Sequence, residues 1–138
     1  MSLIRFQNNS APYINDENLN HNFDELKSYS LYSNSNGSTG DITLSDSSTN
    51  YHELRILYGT DDGIYNVAVI SNFPRKTSLS LDYWNAGINA FQHFAGTIEI
   101  NGTTITHTTD YYYINSGGVV TQPTNTNYIK IYEVVGYK

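Results

Sequence analysis

The chain has 138 residues, enough for one domain of ordinary size and too few for a second independent core. Asn, Ser and Thr account for 45 of them, a composition suited to a β-protein with many turns, while 13 Tyr, five Phe and one Trp supply the rings that disordered chains lack. A net charge of −6 with only seven scattered Lys and Arg argues against DNA or RNA as partner, and the absence of cysteine excludes disulfides and thiolate metal sites.

Met1 to Asn9 lack the basic start and long apolar run of a secretion signal, and no window approaches the ~18 apolar residues of a membrane span. The expectation is a protein made without a signal peptide and without membrane insertion. Next comes the one convincing helical pattern. Asn15 can cap a segment opening with Asp16 and Glu17, the acidic first turn that a helix dipole favours, and Leu19, Phe23 and Leu26 follow at i, i+4 and i+7. That stripe is too short to be stable alone and needs a surface. It can pack on its own domain, or serve as an oligomerisation or docking contact with further copies of the chain.

After Lys27 the periodicity changes from helical to alternating. Ser28 to Tyr32, Asp41 to Leu44 and Thr77 to Tyr83 alternate polar with apolar residues, as half-buried strands do. Further strands are expected over Tyr51 to Tyr58, Ile64 to Ser71, Ile88 to Ile100, Thr103 to Thr108, Tyr111 to Asn115 and Asn127 to Tyr137. Asn36-Gly37, Asp62-Gly63, Asn101-Gly102 and Gly117-Gly118 separate them as turns that accept positive φ. Asn101-Gly102 is the cleanest hairpin signal, and it puts Ile98 and Ile100 on one face. The predicted fold is mainly β: an antiparallel β-sandwich or jelly-roll-like domain over 29–138, preceded by an N-terminal arm and short α-helix over 1–28.

The sequence offers little for catalysis. His21, His52, His93 and His107 are far apart, and none has a metal-ligand spacing. Asp61-Asp62-Gly63 reads as a turn ahead of a strand rather than a calcium loop. No nucleophile elbow, phosphate-cradling glycine loop or zinc-protease helix occurs. A small glycan hydrolase needs only two suitably spaced carboxylates and stays as a minor alternative. The expectation is a non-enzyme with no cofactor and no metal.

What remains is chemistry suited to sugars, whose C–H faces stack on aromatic rings while amides, carboxylates and hydroxyls bind their hydroxyl groups. Two stretches offer both elements: Asp82, Tyr83, Trp84 and Asn85 beside the Ala86-Gly87 turn, and Tyr111, Tyr112 and Tyr113. They are candidates as a set. Tyr is also a favoured strand residue and a lone Trp is often a core anchor, so rings from either stretch can equally belong to the core.

Pro12-Tyr13-Ile14-Asn15 followed by Asn18-Leu19-Asn20 resembles a start seen in tail-fibre and baseplate proteins of phages of Gram-positive bacteria. Leu31 to Asp46, Tyr51 to Tyr58 and the closing Ile129 to Lys138 are similar to the distal domains of such proteins. The resemblance touches both ends and the early middle, and no landmark aligns between Lys76 and Ala95. It implies a virion tail protein assembled in the host cytoplasm, a homotrimer beside other phage tail proteins. The implied receptor is a host cell-wall saccharide or teichoic acid. Fibres of this group are often far longer, so the alternative is a structural or decoration protein that binds other virion components.

Overall fold

The computed structural model describes residues 27–116, 119–121 and 128–138. Its strands are β1 (Ser28–Ser38), β2 (Ile42–Thr43), β3 (Glu53–Gly59), β4 (Tyr65–Ser71), β5 (Arg75–Asn85), β6 (Ala90–Asn101), β7 (Thr104–Ser116), β8 (Val119–Thr121) and β9 (Lys130–Tyr137). One 3-10 turn, Ser48–Asn50, lies between β2 and β3. The arm and helix expected over 1–28, with the Leu19, Phe23 and Leu26 stripe, fall outside the described residues except for Lys27 and Ser28, and Ser28 already opens β1.

All pairings are antiparallel, and the strands form two sheets. Sheet I has the order β1-β9-β3-β4; sheet II has the order β2-β7-β6-β5, with β8 also on β7. Alternation along each strand sends one set of side chains inward. From sheet I come Leu54, Ile56 and Tyr58 of β3, Ile70 of β4, and Ile131 and Val134 of β9. From sheet II come Leu79 and Leu81 of β5, Phe94, Ile98 and Ile100 of β6, and Ile105 of β7. They join in a single buried cluster, which makes the arrangement sandwich-like, and each such side chain stabilises the fold by roughly 1.5–3 kcal/mol when taken from water.

The Asn101-Gly102 turn joins β6 to β7 with Gly102 at φ 57°, a left-handed conformation that costs glycine little. Ile98 and Ile100 are both fully buried on one face, as their spacing predicts. Three boundaries differ from the alternation pattern. Asn36-Gly37 does not end a strand but lies in an irregular stretch of β1, where the register against β9 shifts between Ser33 and Ser38. The two strands expected over Thr103 to Asn115 are one, β7, because a bulge opposite Thr97 and Ile98 absorbs the polar interruption. The third is β8, only three residues long and too short to show a period.

Candidate functional site

Sheet II turns its second face outward, and its register lines up three rows across β5, β6 and β7. Trp84 lies opposite Phe91, which lies opposite Asn115; Asp82 opposite His93 and Tyr113; Ser80 opposite Ala95 and Tyr111. The rows span two strand spacings and two alternate-residue steps, about 10 by 14 Å. Trp84 is 55% exposed, Phe91 42% and Tyr111 38%. Large exposed rings in one contiguous patch are unusual on a surface with no partner to bind.

Small side chains make the patch concave. Ala95 lies between the rings of Tyr111, Tyr113, His93 and Phe91, and a depression of about 410 Å³ opens there, lined by Phe91, His93, Ala95, Tyr113 and Asn115. The Tyr113 ring in its wall lies 5.9 Å from the His93 ring and 6.4 Å from that of Tyr111 beside it. Polar groups sit at its edge. His93 Nδ1 and Asp82 Oδ1 are 2.6 Å apart, which orients the imidazole while the Asp82 side chain stays largely exposed. The Asn115 amide adds a donor and an acceptor.

Strand parity therefore divides the seven sequence candidates. Asp82, Trp84, Tyr111 and Tyr113 meet on the outer face. Tyr83, Asn85 and Tyr112 occupy the alternate positions and point the other way. Tyr112 stacks on buried Phe94 at 4.8 Å between centroids and accepts a hydrogen bond from Gln92 Nε2. Burial is the main cause that pushes its phenol above the usual range, with the Gln92 bond opposing. Asn85 donates to Gln92 Oε1 at 3.2 Å and accepts from the Gly87 N–H at 3.0 Å, so it fastens the β5–β6 turn. Tyr83 is half-buried opposite Gln92.

Phe91, His93 and Asn115 belong to the patch although sequence reasoning did not pick them out. Their signal was the alternation of Phe91, His93 and Ala95 with Gln92, Phe94 and Gly96. It shows which residues share a face but not that β6 runs between the two aromatic stretches.

A second polar cluster is buried. His107 Nε2 lies 2.5 Å from Asp110 Oδ1, while Asp110 Oδ2 accepts the Ile129 N–H at 3.0 Å. The His107 N–H of the backbone donates to Asp41 Oδ1 at 3.0 Å. The Asp110 bond fastens β7 to the entry of β9 beneath the sheet, and the exposed Asp41 bond ties β7 to the segment before β2. Asp61 bonds Lys130 Nζ at 2.6 Å, and Asp62-Gly63 forms the turn ahead of β4 that the sequence suggests. Among the described residues, no group of three or more His, Asp or Glu side chains could hold a metal ion.

Comparison of the chain with family models, with curated proteins and with solved structures finds no match.

Proposed function

We propose that this chain is a non-catalytic saccharide-binding β-sandwich module of a phage tail, displayed to recognise the host cell surface. The observation that carries the reading is that Phe91, His93, Ala95, Tyr113 and Asn115 line one open depression on the outer face of sheet II, with Trp84, Asp82 and Tyr111 at neighbouring register positions on the same face. Exposed rings supply stacking surfaces for sugar C–H faces, and the bordering groups supply oriented donors and acceptors. The tail assignment rests on the resemblance of the chain's ends and early middle to tail-fibre and baseplate proteins, which also implies neighbouring tail proteins.

Charge narrows the ligand. The three rows contain one carboxylate, Asp82, and no Lys or Arg, so a neutral or amino-bearing wall saccharide suits the face better than the polyanionic backbone of a teichoic acid. A single carboxylate paired with histidine also differs from the two flanking carboxylates that glycoside hydrolysis uses.

The test is a glycan array, with pull-down on purified Gram-positive cell walls, using the full chain. Binding to wall polysaccharide that is weakened by Trp84→Ala supports the reading; no binding to any wall preparation overturns it.

A further inference from the structure

Each sheet has open edges, and three of the four kinds of edge in this fold are guarded. β1 is irregular along its length, with register shifts after Ser30 and Ser33, and its Leu31 carbonyl accepts the Ser45 N–H at 2.9 Å. β5 carries Arg75, Lys76 and Asp82, and the Tyr58 hydroxyl bonds both the Ser80 carbonyl at 2.9 Å and the Ser80 N–H at 3.4 Å. β2 and β8 are two and three residues long. Such bulges, charges, covers and short lengths are the devices that prevent edge-to-edge pairing.

Among the described residues, β4 has no bulge, no charge of its own and no backbone cover. It is seven residues long, contains no charged residue and no proline, and pairs with β3 without a register shift. It ends sheet I. On its outer face Tyr65, Val67 and Val69 are 55%, 49% and 59% exposed. The Thr60 N–H donates to the Ile64 carbonyl, so alternation turns the peptide groups of Tyr65, Val67, Val69 and Ser71 away from β3. Two of those groups have only local partners: the Val67 N–H bonds the adjacent Asn66 side chain, and the Ser71 carbonyl accepts from Arg75 at 3.3 Å.

We infer that β4 is a self-association edge, pairing antiparallel with β4 of a second copy of this chain. The strip is self-complementary about Ala68. A two-fold axis there sets Val67 opposite Val69 of the other copy, twice, and Tyr65 opposite Ser71, joining the outward peptide groups into ladder bonds. Charge at the two ends selects this orientation. The turn before β4 carries exposed Asp62 beside Asp61, which already pairs with Lys130, and the chain after it carries exposed Arg75 and Lys76. Antiparallel pairing brings the acidic end of one copy beside the basic end of the other, whereas parallel pairing stacks like on like.

The pair extends sheet I to eight strands. Because the axis runs perpendicular to that sheet, both copies of sheet II lie on the same side and their outer depressions face the same way. Two weak sites on one rigid body gain avidity on a repeating surface. The self-association itself does not rest on the saccharide reading.

Light scattering of the full chain across a concentration series tests this, with amide hydrogen exchange as second readout. The expected mass rises toward twice the 15.5 kDa of one chain, and the Tyr65, Val67 and Val69 amides gain protection as it does. Val67→Pro removes an outward N–H without touching the β3 ladder, and Val69→Lys places a charge in the paired strip; each should return the chain to monomer with its melting curve retained. Arg75→Glu with Lys76→Glu should weaken pairing at low salt. A wild-type chain that stays monomeric overturns the inference. So does a larger assembly indifferent to Val69→Lys, or amide protection at β4 independent of concentration, which would mean cover by the chain's own residues.

Discussion

The Tyr58 hydroxyl, rising from the inner face of sheet I, donates to the Ser80 carbonyl of β5 at 2.9 Å. Ser80 begins the row that continues through Ala95 to Tyr111, so one core phenol fixes the edge of the strand that carries Asp82 and Trp84. Tyr58→Phe keeps the ring and removes the bond. It should cost about 0.5–1.5 kcal/mol in urea unfolding, the net worth of one part-buried hydrogen bond.

The inward and outward members of the two aromatic stretches should separate cleanly by mutation. Trp84→Ala and Phe91→Ala on the open face should leave the unfolding midpoint within about 0.5 kcal/mol of wild type. Each should weaken saccharide binding by about three- to tenfold, the worth of one stacking contact. Tyr112→Ala should do the opposite first, destabilising the fold by about 3–5 kcal/mol through loss of its packing on Phe94. Isothermal titration beside urea melts distinguishes the two classes.

Gly136 lies against a ring in the core. A Cβ there would come 2.5 Å from Tyr51 Cδ1, and β9 cannot retreat because β1 and β3 flank it. Gly136→Ala should therefore lose about 1–3 kcal/mol by overpacking. Tyr51→Leu in the same chain should recover part of that loss, read as a non-additive double-mutant cycle.

Tyr51 also ties stability to pH through Asp46. Its hydroxyl donates to Asp46 Oδ2 at 2.9 Å. Burial first, then this bond and the nearby carboxylate, push the phenol from its ordinary 10.0 up to about 12. A raised phenol favours the neutral folded state, so its contribution is complete below pH 10 and fades as pH climbs toward about 12. Asp46 is shifted the other way, first by the Tyr51 bond and then by the Ser47 N–H and the Asn50 amide. Its contribution holds above 3.8 and is lost as pH falls through its lowered value. In Tyr51→Phe the alkaline loss should shrink, with Tyr112 and Tyr132 sustaining the remainder, and the acid loss should shrink too. Urea midpoints measured across pH report both limbs.

The strands were legible in the sequence wherever one face is buried. Leu79 and Leu81 alternate with Ser78, Ser80 and Asp82, and that period alone separates core from surface on β5. It also makes adjacent residues such as Tyr83 and Trp84 face opposite ways, so a contiguous stretch cannot be a site as a whole. Non-local pairing was not legible. That His93 stands between Asp82 and Tyr113 follows from two hairpin registers; both turns can be read, Ala86-Gly87 and Asn101-Gly102, but only the second is a two-residue signal that fixes its register. The polar stretch between Ile105 and Tyr111 suggested a break, yet His107 Nε2 pairs with Asp110 Oδ1 beneath the sheet, Asp110 Oδ2 accepts the Ile129 N–H, and β7 continues.

The place of β9 between β1 and β3 has a consequence for the order of events in folding. The meander β5-β6-β7 is made of sequential hairpins whose partners are near in the chain, and it can close early. Sheet I has such a route only for the β3-β4 hairpin, because β1 and β3 gain their shared neighbour only when the chain has been synthesised as far as Tyr137. A nascent chain halted before Lys130 would hold a formed sheet II above the β3-β4 hairpin, with β1 and the second edge of β3 unpaired. It would depend on chaperones, or on neighbouring chains, to keep them from pairing wrongly.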